Sequence, residues 1–328
     1  MKAKLLVSMI TTGGTIAMKP DNKAKGNVPK LRGKDLLSMV PGIEKVARIR
    51  LLDFALVPAM QYTPEMLWGL VQCIRREVSD PKVSGVVVVQ GTDTIEETSY
   101  LFELAVNSSK PIVVTGAMRT SAELGWDGPA NLLDSARVVA SREARGQGVL
   151  VVMNKTIHPA REVTKLHTSS LETFHSLDCG PLGFVDGEDV IIQRRVIGVQ
   201  HILAKCLEAN VDLIKAGAGM DNRLILASLR SGAKGLVIEA AGRSHVSPGI
   251  LEGIRTAVSQ GIPTVVVSRC PSGRVLPAYA FLGGGLTVKQ AGAIMPDYLS
   301  GPKAKIKLML ALSLTRDPRR IAKLFRPS

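Results

Sequence analysis

Residues 5–15, Leu5-Leu6-Val7-Ser8-Met9-Ile10-Thr11-Thr12-Gly13-Gly14-Thr15, decide the fold. A short aliphatic run reads as a strand buried on both faces, and the hydroxyl- and glycine-rich turn that stops it suits an exit from a parallel sheet. The same grammar recurs. Val86–Val89 runs into Gln90-Gly91-Thr92-Asp93-Thr94, Ile112–Val114 runs into Thr115-Gly116-Ala117-Met118-Arg119, and Val149–Met153 is a fourth run. Between them Pro64–Val78, Asp93–Val106 and Pro129–Ser141 carry apolar residues at helical spacing, with Pro64 and Pro129 where a first helical turn tolerates proline. This alternation predicts an α/β protein with a parallel sheet covered on both faces. Ligands of such sheets gather beyond the carboxyl ends of the strands, so the three turns are the place to look for chemistry.

The pattern weakens from about residue 176 to 212, where GPLG (180–183) and DGED (186–189) mark turns and residues 193–200 read as one extended segment. It restarts with strands at Gly235–Ala240 and Thr264–Ser268, a helix at Pro248–Ser259 between them, and a last helix at Pro302–Leu314. The expected division is a larger N-terminal catalytic α/β domain over 1–190, a linker over 191–212 and a smaller C-terminal α/β domain over 213–328.

Composition narrows the class. With 45% hydrophobic and 21% charged residues the chain is globular rather than disordered, and with 4% aromatics its core must be aliphatic. The net charge of +14 sits at the ends: residues 1–50 hold 11 Lys and Arg against 3 acids, and residues 301–328 hold 8 against 1. Clustered cations invite a nucleic-acid partner. Here they lack the interleaved aromatics that stack bases, so nucleic acid is the weaker reading and solvated surface charge the expected one. Cys73, Cys179, Cys206 and Cys270 form no C-x-x-C pair, which suits a reducing compartment and predicts a cytoplasmic location. The apolar stretch Leu5–Ile10 is short for a signal peptide, and no segment has the roughly 18–20 uninterrupted apolar residues of a membrane span, so no membrane partner is expected.

What the three turns share is threonine, which becomes a nucleophile when a base or cation prepares its hydroxyl. Asp93, beside Thr92, is placed to orient a proton acceptor or grip a substrate ammonium. Lys165 follows the Val149–Met153 strand in a polar loop, and a lysine in a crowded site can serve as base for a hydroxyl. Phosphate binding is the weaker reading of TTGGTIAM, which is neither G-x-G-x-x-G nor a P-loop. His158, His167, His175, His201 and His245 have no metal-ligand spacing, the stretch 158–175 reads as polar loop, and no G-x-S-x-G occurs. Neither metal nor cofactor is implied.

At these residues the sequence resembles the bacterial-type L-asparaginase family, whose signatures stand here as TGGTIA at 12–17 and GTDTIEET at 91–98. The likeness continues through TGAMR (115–119), WDGPANL (126–132), GVLVVMN (148–154), REVTK (161–165), GPLG (180–183) and DPRRIAKLF (317–325), and so spans the chain. The resemblance implies a flavodoxin-like N-terminal domain, a smaller C-terminal α/β domain, and self-association into a dimer or tetramer with active sites between subunits. It implies hydrolysis of a small amide, L-asparagine by default, through an acyl-enzyme. Carried over by motif, Thr12 is the nucleophile, and Thr92, Asp93 and Lys165 are the cluster that prepares either Thr12 or the water. Gly91, Thr92 and Ala117 would face the scissile amide, and Thr12 and Thr92 would supply oxyanion donors.

The chain departs from the family where substrate is gripped. Relatives carry Ser, often with a neighbouring Gln, just ahead of a Met-Thr-Pro-Glu-like run, and here Ala59 and Met60 hold those substrate-binding places before Gln61-Tyr62-Thr63-Pro64-Glu65. The stretch Met18–Leu31, which in many relatives is a mobile loop bringing a Tyr to the nucleophile, has no aromatic residue but has Lys19, Lys23, Lys25 and Lys30, cations that would draw a small anionic or zwitterionic amide. Where relatives often place an Asn for the neighbouring subunit's site, the chain offers Arg243 or His245. The alternatives therefore stay open: an amidase of another small carboxamide, an asparaginase-like subunit of a tRNA-dependent amidotransferase, or a non-catalytic amide-binding protein.

Overall fold

Strand β1 (Leu6–Gly13) is the pivot of the N-terminal unit in the computed structural model, which describes residues 4–326. The chain continues through a hairpin of β2 (Met18–Asp21) and β3 (Gly26–Pro29), then β4 (Arg48–Val57), β5 (Val83–Val89), β6 (Ile112–Thr115), β7 (Val149–Met153) and β8 (Thr156–Pro159). The short β9 (Thr164–Lys165) and β10 (Phe174–His175) form a second hairpin, and β11 (Gly183–Asp186) with β12 (Asp189–Ile192) a third. One eight-stranded sheet has the order β12-β11-β8-β7-β6-β5-β1-β4. From β7 to β4 its strands are parallel, and β8, β11 and β12 add to it antiparallel. The predicted α/β class is therefore what forms. The chain leaves β1 for β4 on one side and then crosses to β5 on the other. Winding reverses there, and a crevice opens at the carboxyl ends of β1 and β5.

Alternation along the strands divides the core. Val7, Met9, Val87, Val89, Val113, Leu150 and Val152 share one buried cluster with Leu132, Ala136 and Val139 of the helix Gly128–Ala140. Each buried aliphatic side chain contributes about 1.5–3 kcal/mol, so this layer holds the crevice walls rigidly. The helix Pro64–Ser79 lies against β5, and the helix Ile95–Ala105 against β7. Buried Ser8 donates to Glu77 Oε2 at 2.8 Å, and Arg50 reaches Glu77 at 3.1 Å and Asp80 at 2.8 Å.

That network explains a strand that sequence reading missed. β4 is an edge strand paired only with β1, so its two arginines and Asp53 break the apolar run that marks interior strands. Asp53 is itself engaged, accepting from Thr11 Oγ1 at 2.6 Å and from Gly33 N at 2.9 Å.

The expected polar loop at 158–175 is corrected by the structure. His158 lies in β8 between β7 and β11, 3% exposed, because that strand is interior to the sheet. Its Nδ1 is 3.1 Å from Ser176 Oγ, and its Nε2 has no hydrogen-bond partner among the described residues. Burial, with smaller electrostatic contributions from the neighbouring His175 and Arg194, pushes its pKa down to about 4. An unfolded histidine titrates near 6.5, so below that pH the unfolded chain binds a proton that the folded ring refuses. Stability from this ring is complete above pH 6.5 and is lost as pH falls toward 4. Urea unfolding at pH 7 and pH 4.5 is expected to show an acid loss smaller by about 2–3 kcal/mol in His158→Asn than in the parent. Equal acid sensitivity of the two proteins contradicts the assignment.

The second compact unit begins at Ile202, the first ending at His201. It contains a parallel sheet of β13 (Val211–Lys215), β14 (Gly235–Ala240) and β15 (Thr264–Ser268), with helices that include Pro248–Ser259 and Gly301–Leu314. Ser247 caps the former helix, accepting from Ile250 N at 3.2 Å, with Pro248 in the first turn. Residues 193–210 carry no helix or strand. The C-terminal charge is not all solvated as expected: Lys303 and Lys307 are 2% and 6% exposed, and the Lys307 ammonium lies 5.3 Å from the centre of the Phe325 ring. Their helix is apolar nearly all round, so two lysine stems fall on covered faces. At the other end, Lys2 lies outside the described residues.

Candidate active site

The three turns meet backbone to backbone. Gly14 adopts a left-handed φ of +79°, and its N–H donates to Val57 O at 3.1 Å. A Cβ at this position would stand 2.2 Å from both N and Cα of Gly91, so only glycine allows the turn after β1 to touch the turn after β5. A Cβ on Gly116 would lie 2.4 Å from Gln90 O, which brings the turn after β6 to the same rim. The short 3₁₀ turn Ala59–Gln61, just beyond β4, packs against the 3₁₀ turn Thr92–Thr94.

On that rim Thr12 is fully buried at the end of β1. Its Oγ1 donates to Val89 O at 3.0 Å and lies 2.5 Å from Tyr62 Oη. A hydroxyl has one proton to give. With that proton on Val89, Tyr62 is the donor of the shorter bond. Burial pushes the Tyr62 phenol up to about 12, against the smaller lowering by its bond to Thr12, so it is a neutral donor at pH 7. Tyr62 is held between the Ala59–Gln61 turn and the helix Pro64–Ser79, whose cap Thr63 accepts from Met66 N at 3.2 Å.

A second cluster stands on the neighbouring turn. Lys165 Nζ donates to Thr92 Oγ1 at 3.0 Å and to Asp93 Oδ1 at 2.7 Å. The Lys165 side chain is mostly covered, whereas that of Asp93 is 64% exposed, so the ion pair adds little to stability although it fixes the direction of the amine. Lys165 owes its place to the β9–β10 hairpin, where it pairs with Phe174, and the hairpin loop is closed by His167 N donating to Thr173 Oγ1 at 2.9 Å.

The remaining expected site residues divide by environment. Gly91 and Ala117 are buried in the rim, and Ala59 is buried against Gly91. Met60 is 73% exposed. Arg243 and His245 belong to the second unit, where the His245 ring stands edge-on to Tyr279 at 4.9 Å between centroids. The stretch expected as a loop at Met18–Leu31 contains the β2–β3 hairpin. Its turn is tied by Asp21 Oδ1, which accepts from Lys23 N at 2.9 Å and Ala24 N at 2.8 Å, and Lys30 pairs with Asp21 at 2.6 Å. The Lys30 bond and then the backbone bonds hold the Asp21 carboxyl below its ordinary range. Among the described residues no group of three His, Cys, Asp or Glu side chains is placed to hold a metal ion.

Residues 6–198 match the family model described as "Asparaginase, N-terminal", and residues 210–325 match "Glutaminase/Asparaginase C-terminal domain". The chain belongs to the asparaginase family. It is an asparaginase-like amidohydrolase. This asparaginase-family chain is 32% identical over 312 residues to the L-asparaginase of Bacillus licheniformis, covering 95% of this chain and 96% of that protein. It is 34% identical over 330 residues to a protein named Probable L-asparaginase from Deinococcus radiodurans, covering 97% and 96%. A crystal structure named Probable Cytoplasmic L-asparaginase from Campylobacter jejuni superposes with a TM-score of 0.89 at 30% identity, covering 98% of this chain and 99% of that one. Within this asparaginase-family site, Tyr62 is the contact that sequence reading missed. It stood in the Ala59–Glu65 run without a role, since nothing in a lone tyrosine before Thr-Pro-Glu announces that a turn will lay its hydroxyl on Thr12.

Proposed function

We propose that the chain hydrolyses L-asparagine to L-aspartate and ammonia with Thr12 as nucleophile. The observation that carries the reading is the pairing of a buried Thr12 hydroxyl, at the sheet's switch point, with the Thr92–Lys165–Asp93 cluster on the next turn. Thr12 Oγ1 attacks the carboxamide carbon, the C–N bond breaks, ammonia leaves, and an ester remains on Thr12. Backbone N–H groups of Thr12 and Thr92 are assigned to the oxyanion, with Gly91 and Ala117 as walls. Water then attacks the ester carbon, and its proton is taken by the Lys165 amine, which is aimed by Asp93 and bonded to Thr92. The bond from the acyl carbon to Thr12 Oγ1 breaks as a proton returns to that oxygen, so L-aspartate leaves and the threonine hydroxyl is restored. The same family membership supports self-association into a dimer or tetramer, measurable by sedimentation. The free cysteines and the naming of the Campylobacter jejuni relative support a cytoplasmic location.

A second reading, an amidase of a small carboxamide without the amino-acid handles, is favoured by Ala59 and Met60, whose side chains offer no donor to a carboxylate and at most a weak thioether acceptor to an ammonium. Ammonia release from L-asparagine, L-glutamine and a set of simple carboxamides separates the two. The first reading expects L-asparagine to have the highest kcat/KM, a simple amide in that place supports the second, and no ammonia from any amide overturns both.

Restoring one handle gives a sharper result. A hydrogen bond to a charged group contributes about 1.5–3 kcal/mol. Ala59→Ser is therefore expected to lower KM for L-asparagine about tenfold or more, leaving KM for a handle-free amide unchanged. If both substrates respond equally, position 59 does not meet the carboxylate.

A further inference from the structure

We infer that Tyr62 is a catalytic residue that relays the proton of the Thr12 hydroxyl to the departing amide nitrogen, a role set by the Ala59–Gln61 turn rather than by the hairpin over 18–29. The inference rests on Thr12 being the nucleophile.

Among the described residues Thr12 Oγ1 has two hydrogen-bond partners, Val89 O and Tyr62 Oη. The carbonyl can orient the hydroxyl proton but cannot carry it away. The Lys165 amine is turned to Thr92 and Asp93. That leaves the phenol, at 2.5 Å, as the group in contact with the reacting oxygen that can both accept and donate. Its burial keeps it protonated at neutral pH, so it does not act as a phenolate base. As Thr12 Oγ1 bonds to the carbonyl carbon, the threonine proton turns from Val89 O to Tyr62 Oη, and the phenol's own proton passes to the amide nitrogen. The C–N bond breaks, ammonia departs, the ester stands on Thr12, and Tyr62 is again a neutral phenol.

The scaffold accounts for the close contact. The Ala59–Gln61 turn packs on Thr92–Thr94, Ala59 is pressed against Gly91, and the Thr63 cap fixes the next helix, so the residue between them has little freedom. The hairpin over 18–29 supplies no aromatic ring, and its lysines lack a group that both accepts and donates at neutral pH.

The test compares the parent, Tyr62→Phe and Thr12→Ala by ammonia release from L-asparagine across pH, with thermal unfolding to confirm folding. Tyr62→Phe keeps the ring and removes the hydroxyl, so kcat is expected to fall about 10²–10⁴-fold with KM little changed. A site-specifically introduced fluorotyrosine at position 62, whose phenol is more acidic, is expected to keep activity and move the alkaline limb of the kcat profile to lower pH, which a packing role would not do. If Thr12→Ala is inactive while Tyr62→Phe turns over within twofold of the parent, the relay is wrong and the nucleophile stands. If Thr12→Ala is as active as the parent, the nucleophile assignment falls and the relay with it.

Discussion

Thr12→Ala is expected to reduce kcat for L-asparagine by about 10⁴-fold or more, because an enzyme that passes through an ester on one residue retains only binding and oxyanion stabilisation when that hydroxyl is gone. Folding is expected to survive at a cost. The substitution removes a fully buried hydroxyl and leaves the Tyr62 phenol without its short bond, a penalty of about 1–3 kcal/mol. Thr12→Ser, which keeps the hydroxyl and loses a methyl group, is expected to retain measurable turnover. Intact mass spectrometry after rapid acid quench should find the aspartyl ester on the parent and none on Thr12→Ala. An alanine variant within tenfold of the parent would move the nucleophile elsewhere, and Thr92 would be the next candidate.

Lys165→Met is expected to lose about 10³-fold in steady-state turnover. The methionine stem replaces much of the covered side chain, and Asp93 is solvated once the amine is gone, so the melting temperature should barely change. The informative measurement is the pre-steady state. A Lys165 that serves water attack gives a burst of one equivalent of ammonia and then slow release, with the ester accumulating on Thr12. A Lys165 that prepares Thr12 gives no burst and no ester. Since the amine reaches Thr92 and Asp93 while Thr12 is bonded to Val89 and Tyr62, the burst is the expected outcome.

How much of this was legible depends on the kind of signal each element leaves. β5, β6 and β7 announce themselves through the buried aliphatic runs Val86–Val89, Ile112–Val114 and Val149–Met153 that they contain. β4 does not, since an edge strand tolerates Arg50 and Asp53 when Glu77, Asp80 and Thr11 answer them from elsewhere in the chain. His158 was misread for a related reason: the run over residues 157–160 is too short and too close to Asn154, Lys155 and Arg161 to stand out as a buried strand, but its neighbours in space are the interior strands β7 and β11. Lys303 and Lys307 repeat the lesson on a helix whose covered faces cannot be told from charge alone.

At the site, the turns carrying Thr12, Thr92 and Asp93 were legible because parallel strands of one sheet end on one rim, and glycine at 14, 91 and 116 marks where backbones must touch. The contact of Lys165 with that rim required the β9–β10 hairpin, formed by two residues from each side. The contact of Tyr62 required more, because no local pattern encodes a side chain that crosses 50 positions to reach a hydroxyl. By itself, then, the sequence determined the layered α/β class and the rim on which the three threonine- and glycine-rich turns end, since these rest on periodicity and turn composition, which are local. Only the tertiary structure decided that the Thr12 hydroxyl is held by a tyrosine from beyond the edge strand and that the lysine cluster faces Thr92, because hydrogen-bond partnership is set by distances of about 3 Å between residues that sequence separation does not constrain.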